Sequence, residues 1–326
     1  MDKEGFRAYL QNRNLSEQII QLSFEIVDMF EQFSIARGGH AKPTPTVDDF
    51  KEFSTKMMHE GLNTYENYLA LARYARFSKN RPVYLAALEL VDGGEVMDNL
   101  YIKVGTALGE ANRDELFKGI TFPPLGTPNM QKPNYMQAAI DRLLSRVDPE
   151  TCKQILAGGL RDLDDEYYQE DRKKYLEAEN IDAYLQKRGD DFIAQLEQIK
   201  NDHELFFNQE ITDEVIEFVQ SHPEIRQGVR EGNVIIEIKI PHMAKEYLAE
   251  QDETKKRYYY CHCPWVKESL KDGRSQIPRT FCNCSAAFVK KPWEVIFGQP
   301  LEAEIIESVL QGNLWCKIAV HLPIQA

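Results

Sequence analysis

Apolar residues recur every three or four positions along the first two thirds of the chain, a spacing typical of amphipathic helices. Over residues 16–37, five apolar side chains share this spacing: Ile19, Leu22, Ile26, Phe30 and Phe33. Gly38-Gly39 is the predicted stop. The same spacing predicts helices over 47–60, 65–77, 82–92, 95–112, 135–147, 149–157, 181–187, 190–200 and 212–221. Residues 1–225 are therefore predicted to form a helical domain.

Local signals support several of these helix starts. Thr46 and Asp49 resemble a short capping box, in which each residue satisfies a backbone amide near the other. Pro82 suits the first turn of a helix, where no amide hydrogen is needed. Asp148-Pro149 combines an N-cap with a proline at the first helical position.

Two segments of this region lack a helical stripe. Residues 118–134 contain four prolines and two glycines, which excludes regular structure. They are either a lid or wall of a ligand site, or a connector that crosses the surface. Residues 161–180 are highly charged and form a helix or linker with little apolar surface.

After Gly228 the pattern changes to a period of two. Residues 233–240 alternate and are β-branched, and further strands are predicted over 256–263, 301–310 and 314–322. The last two strands flank Gln311-Gly312-Asn313, which suits a tight hairpin. Helices are predicted over 265–271 and 285–296. Residues 226–326 should thus form an antiparallel sheet with helices on one face, and the fold class is α+β.

Composition limits the partners and the compartment. The chain has 326 residues, of which 43% are hydrophobic, so two domains can each bury a core. A formal net charge of −13 disfavours nucleic acid and anionic membranes as partners. No apolar run approaches the roughly 18 residues of a membrane span, and the first residues do not resemble a signal peptide. The expected location is the reducing cytoplasm.

Four of the six cysteines form two Cys-x-Cys pairs, Cys261 with Cys263 and Cys282 with Cys284. In a reducing compartment such pairs more often serve metal or redox chemistry than structural cross-linking. Each pair precedes a predicted helix start, where the helix dipole should lower the thiol pKa. Four thiolates are a tetrahedral ligand set that zinc accepts. The sequence therefore predicts a zinc site formed by these four residues.

Other interpretations of the cysteines remain open. A Cys-x-Cys pair is tighter than the usual Cys-x2-Cys, so a three-ligand site completed by Cys316 or His262 is equally compatible. The pairs could instead serve disulfide or dithiol redox chemistry, or be unrelated free thiols. Cys316 is predicted on the inward face of the last strand, beside the site, although it could equally fill the core. Cys152 lies among aliphatic residues and is predicted to be an inert, buried thiol.

Several other residues near the pairs are candidates for the site. His262 could be a ligand or general base, but strand alternation points it away from the cysteines and favours an ordinary imidazole. Ser285, with its neighbour Asn283, could orient a bound carbonyl or simply cap a helix. Trp265 should form core or pocket wall. A basic neighbourhood could attract an anionic ligand such as a carboxylate, or be a solvated face: Arg274, Arg279, Lys290 and Lys291.

The cysteine motifs also carry a resemblance. The pattern Cys261-x-Cys263-Pro264-Trp265, Phe281-Cys282-x-Cys284-Ser285 and then Gly312 with Cys316 resembles a bacterial protein family marked by cysteine clusters. More distantly, the closing hairpin is similar to 4-vinyl-reductase-like and amino-thiazoline-carboxylate-hydrolase-like domains. The resemblance covers roughly residues 230–322. It implies an α/β ligand-binding module with a cysteine-lined metal or reactive site. Some relatives have a further upstream cysteine cluster, which residues 157–161 lack here.

Two classes of function are compatible with these observations. In the first, zinc holds a module that binds a small molecule, for which an anion is the expected class. In the second, the protein is a hydrolase that acts on a small carboxylated or cyclic amide-like substrate through an open metal site or a low-pKa cysteine. Coordination separates them, because four protein ligands favour a binding module and three ligands with an open position favour catalysis.

Overall fold

The computed structural model describes residues 1–38, 44–271, 273 and 276–323. The helices are α1 Lys3–Gln11, α2 Glu17–Gly38, α3 Val47–Glu60, α4 Tyr65–Phe77, α5 Arg81–Val91, α6 Val96–Leu108, α7 Glu110–Phe117, α8 Lys132–Leu144, α9 Pro149–Ala157, α10 Gln169–Glu177, α11 Ile181–Asn201, α12 Asp213–Ser221, α13 Pro223–Arg226, α14 Ala244–Ala249, α15 Glu253–Tyr260 and α16 Asn283–Phe297. Short 3-10 helices span Asp165–Tyr168, Lys267–Leu270, Arg279–Cys282 and Val309–Gln311. The strands are β1 Val229–Glu231, β2 Val234–Ile238, β3 Glu302–Glu307 and β4 Lys317–His321. The predicted α+β class is confirmed.

The chain divides into two compact units. The first comprises Met1–Gly94 and Phe122–Lys132, and the second comprises Glu95–Thr121 and Pro133–Ala326. The sequence pattern predicts a boundary near residue 225, where helices give way to strands. That change of pattern falls inside the second unit, where residues of α11 and α16 form one core with the sheet.

The first unit is a group of helices whose starts follow the predicted capping signals. The Thr46 hydroxyl accepts from the Asp49 amide at 3.1 Å, and the Asp49 carboxylate accepts from the Thr46 amide at 2.9 Å, which completes the capping box. Pro82 lies in the first turn of α5 as predicted. Aromatic side chains dominate the core, with the Phe30 ring 5.2 Å from that of Phe53. Gly39, part of the predicted stop of α2, lies outside the described residues.

Residues 118–131 of the proline-rich loop are irregular, as predicted, but the prediction is wrong for 132–134, where α8 begins. The Phe122–Lys132 part belongs to the first unit. Asn63 donates a hydrogen bond to the Leu125 carbonyl at 3.0 Å. Gly126 lies in this loop with φ +91°, and a Cβ at that position would overlap the buried hydroxyl of Tyr68. The glycine is therefore required both by its backbone conformation and by the close approach of Tyr68.

Comparing substitutions at Gly126 and Gly61 separates the effect of the backbone conformation from the effect of the close approach of Tyr68. Gly126→Ala should lower the free energy of unfolding by about 2–5 kcal/mol, because left-handed strain adds to the overlap with Tyr68. Gly61→Ala is the matched control, since Gly61 has φ +68° but a Cβ added there would have no described atom within 4 Å. The control should cost only about 1–2 kcal/mol. Urea unfolding followed by far-UV circular dichroism checks the difference, and equal losses would contradict it.

The second unit contains a four-stranded antiparallel sheet in the order β1-β2-β4-β3. Helix α16 lies against it, because Ala286, Val289, Trp293 and Ile296 follow helical spacing and form one core with β4 residues Ile318 and Val320. Gly298 ends α16 in the left-handed conformation that a C-terminal cap requires.

A half-buried ion pair joins α11 to the sheet of the second unit. Arg188 of α11 donates to Glu237 of β2 at 2.7 Å, and Trp293 of α16 donates its indole N–H to the same carboxylate oxygen at 2.8 Å. Arg188 also donates to the Gln227 carbonyl at 2.8 Å. The two charges are thus partly removed from water, and each has hydrogen-bond partners that offset the loss of hydration.

Several predicted elements differ from the structure. The predicted strand over 256–263 is wrong, because Asp252 caps helix α15 through the Lys255 amide and the helix continues to Tyr260. The predicted 95–112 helix is divided at Gly109, whose φ is 85°. The two helices predicted within 181–200 form one helix, α11, which continues through Gly189. Gly189 has no side chain, which leaves room for Gln227 to lie close to the helix at that point.

The β region also differs in detail. Strand β1 was not predicted, because its three residues are too few to show a period of two. The segment predicted as a helix after Trp265 contains only a 3-10 turn over Lys267–Leu270. Strands β3 and β4 do pair, but their connection is longer than the predicted tight hairpin since it includes the 3-10 helix Val309–Gln311.

Candidate functional site

Five cysteines occur on three segments of the second unit. Cys261 and Cys263 directly follow α15, Cys282 and Cys284 lie at the junction of a 3-10 helix with α16, and Cys316 immediately precedes β4. All six cysteines of the chain are within the described residues, and each is a free thiol. The thiols are therefore available for metal binding or for chemistry of their own.

Strand pairing brings two of these segments together. Ile238 at the end of β2 is in register with Lys317 at the start of β4, which places Lys239 next to Cys316. The chain beyond β2 then runs along the end of α15, where Met243 donates its amide to the Tyr259 carbonyl at 2.9 Å. The Tyr260 hydroxyl donates to the Cys316 carbonyl at 3.2 Å. Cys261 and Cys316 thus belong to one neighbourhood.

The electrostatics of the thiols show how far this neighbourhood extends. Burial raises the pKa of Cys261 to about 12, and the charge of Cys316 adds to the rise. Burial also raises the pKa of Cys282 well above its usual range, with further contributions from Cys316, Cys261 and Cys263. Cys261 and Cys284 similarly add to the effect of burial on the pKa of Cys263. We call these five residues, Cys261, Cys263, Cys282, Cys284 and Cys316, the thiol group.

The direction of these pKa shifts is opposite to the one predicted. Helix dipoles were expected to lower the thiol pKa values, but Cys261 lies at the C-terminal end of α15, where the dipole is unfavourable to an anion. Cys282 continues a 3-10 helix into α16 in a helical conformation and offers no side-chain cap. Burial therefore dominates, and the thiols are neutral in the protein alone at physiological pH.

One cation lies among these neutral thiols. Lys239 is half-buried, and its ammonium lies 4.3 Å from the centroid of the Phe288 ring. Burial lowers the pKa of Lys239, while Cys316, Cys284 and Cys263 act in the opposite direction. Within the described residues Lys239 has no ion pair with a carboxylate. A thiolate formed in this group would therefore have the Lys239 ammonium as a nearby positive charge.

A buried hydroxyl next to the thiol group is also unsatisfied. Ser308 is fully buried, and its Oγ has no hydrogen-bond partner of ordinary geometry among the described residues. The Ser308 hydroxyl nevertheless interacts with the Cys282 side chain. This interaction lowers the pKa of Cys282 and so opposes the larger rise caused by burial and by the neighbouring thiols. Buried polar atoms normally find a partner, and the Cys282 sulfur is the partner available to this hydroxyl.

The side chains do not form a ready-made metal site. In the described parts of the chain, no group of three or more His, Cys, Asp or Glu residues is arranged to hold a metal ion.

Cys152 lies on α9 with Ile155 and Leu156, and burial followed by the Asp148 charge raises its pKa to about 11. No other thiol contributes to that shift.

The remaining predicted residues have distinct positions. His262 donates its Nε2–H to the Ile240 carbonyl at 2.6 Å, and burial, followed by His242 and Lys239, lowers its pKa well below the usual value. Its Nε2 is thus unavailable as a ligand or base. Trp265 is buried, Ser285 is half-buried in the first turn of α16, and Arg279 is exposed. Arg274 lies outside the described residues.

A cleft of about 410 Å³ in the second unit has Cys284 in its wall. Helix α16 contributes Lys290 and Lys291 to it, α6 contributes Lys103, and the segment 158–163 contributes Arg161. The two lysines of α16 were predicted from the sequence, but Lys103 and Arg161 were not. Gly158-Gly159 indicates only a helix stop, and no sequence signal connects that segment with α16.

None of the helices in the described ranges is both long enough and apolar enough to cross a membrane. Comparison with protein-family models, with curated proteins and with solved structures finds no match to this chain. The resemblance drawn from the cysteine motifs therefore stays a prediction.

Proposed function

We propose that the second unit is a zinc-binding module in which the thiol group supplies the ligands. The observation that carries this proposal is that five of the six cysteines, from three separate segments, lie close enough to affect one another's pKa values, with Lys239 near four of them. Soft thiolates favour zinc over the hard cations calcium and magnesium. Five thiols exceed the four that a closed tetrahedral site needs, which favours a structural site over an open catalytic one.

The surroundings of the thiol group fit such a site. Four thiolates around one zinc ion carry a net charge of about −2, which the Lys239 ammonium would partly compensate. The unsatisfied Ser308 hydroxyl would have a thiolate acceptor beside it at Cys282. Ligation requires the thiols to lose their protons and to rotate, since the side chains do not form a ligand set without the ion.

Zinc titration of the reduced, metal-free protein tests this proposal. We expect one zinc ion per chain, and the release of about four protons because the thiols are neutral beforehand. Proton release can be measured by calorimetry in buffers that differ in ionisation enthalpy. A double variant with Cys261→Ser and Cys282→Ser is the control and should not retain zinc against a chelator. Failure of the wild-type protein to compete with the chelator would refute the proposal.

We further propose that this module binds a small anionic molecule and works in the reducing cytoplasm. The cleft beside Cys284 supports the first point, and six free cysteines support the second. A hydrolase acting on a small carboxylated or cyclic amide-like substrate is the alternative. Retention of an exchangeable water on the bound zinc would favour the hydrolase, whereas four protein ligands would favour the binding module.

A further inference from the structure

Charge is distributed unevenly around the cleft. Four basic side chains line it, and only two acidic ones do, Asp162 and Glu294. The wall residues alone carry an excess of two positive charges, but Glu95 and Asp165, which lie outside the wall, pair with two of them. Attraction of a small anion therefore depends on the cation that these ion pairs leave uncompensated.

The basic groups differ in how far carboxylates of the protein already neutralise them. Arg161 pairs with Glu95 at 2.8 Å, Lys290 pairs with Glu294 at 2.9 Å, and Lys291 pairs with Asp165. Lys103 is half-buried on α6 and makes no ion pair within the part of the chain that the structure describes. Lys103 is thus the group whose charge a bound anion would complement first.

The size and the apolar part of the wall restrict the ligand further. A volume of about 410 Å³ is in the range of small-molecule sites and too small for a folded partner. Phe288 and Ile102 add apolar surface, and Ile102 is 57% exposed. Such a wall suits a short carbon skeleton bearing an acidic group.

We infer that this cleft binds a small carboxylate, held by Lys103 with Arg161 and Lys290 nearby and lying next to the Cys284 thiol. The inference depends on the proposed small-molecule function and names its ligand class and its site. It does not depend on zinc, because none of the three cations belongs to the thiol group.

The Cys284 thiol provides a reporter for the charge of the cleft. Iodoacetate and iodoacetamide both alkylate a thiol by forming a sulfur–carbon bond and releasing iodide, but only iodoacetate carries a carboxylate. Their rates at Cys284 can be separated from those at Cys282 by fragmenting the modified peptide in a mass spectrometer. We expect the rate ratio of iodoacetate to iodoacetamide at Cys284 to exceed that of a free cysteine peptide in the metal-free protein.

Lys103→Gln should lower this ratio about twofold to fivefold, the effect of one charge in the wall of the same partly solvated cleft. Lys245→Gln, on α14 and outside the cleft wall, is the matched control and should leave the ratio unchanged. In addition, succinate should slow iodoacetamide at Cys284 in the wild-type protein and less so in Lys103→Gln.

A ratio at Cys284 that is unaffected by Lys103→Gln, or that falls equally in the Lys245→Gln control, would overturn the inference. The zinc titration is independent of this outcome. A charge-selective cleft in a protein that does not bind zinc would refute only the metal proposal, whereas zinc binding without charge selectivity would refute only the carboxylate site.

Discussion

Glu237→Gln is expected to lower the free energy of unfolding of the second unit by about 1–3 kcal/mol. The substitution keeps the shape of the side chain but leaves Arg188 as an uncompensated charge, which is costly in a pair largely removed from water, although the Arg188 side chain is 27% exposed and water can replace part of the loss. It also weakens the acceptor of the Trp293 indole N–H. The Glu237 side chain is only 13% exposed, so water can replace less at that end of the pair.

Glu307→Gln is the matched control for this experiment. Glu307 also accepts from an indole N–H, that of Trp315 at 2.9 Å, and lies 3.8 Å from Lys317, but its side chain is 31% exposed. Its substitution should cost less than about 1 kcal/mol. All three tryptophans belong to the second unit, so urea unfolding followed by tryptophan fluorescence reports on that unit. Similar costs for both variants would show that burial of the Arg188 pair is unimportant.

Cys316→Ser should weaken zinc retention by at least about tenfold, whereas Cys152→Ser should leave it unchanged. Cys316 affects the pKa values of Cys261 and Cys282, which places it within the thiol group. Even residues that only support metal ligands change affinity by about 10–100-fold, so loss of a ligand should do no less. Cys152 affects none of these thiols and should change only stability, by about 1 kcal/mol.

Competition of zinc-loaded variants against a chelator measures this difference. The two substitutions are chemically identical and both positions are buried, which makes Cys152→Ser a close control. Equal zinc retention in the two variants would show that Cys316 has no share in the site and is core packing next to Ile318.

The helices of the first unit could be predicted because their signals are local. The Thr46–Asp49 capping box and the spacing of apolar residues in α2 depend on neighbours three or four positions away. The strand predicted before Cys261 was based on the β-propensity of three tyrosines. That propensity is outweighed by two features that favour a helix, the N-cap at Asp252 and the packing of Tyr260 against Tyr247.

The candidate site was only partly predictable for a different reason. Clustered cysteines indicated a shared site, and the inward face of the last strand indicated Cys316. The position of Lys239 depends on the pairing of β2 with β4, which no local pattern encodes. Likewise, Arg161 and Lys103 reach the cleft only because α9 packs against both α6 and α16.

The contact of Tyr260 with Cys316 also has a consequence for folding. These residues are 56 positions apart, so their segments meet only when a long loop closes and β4 pairs with β2. Contacts of such long range form late, because the entropy of loop closure must be offset first. During synthesis, four cysteines must therefore emerge and stay reduced before the strand that completes their enclosure exists. Slow formation of β4 would expose them to oxidation, and a reducing compartment would protect this stage of folding.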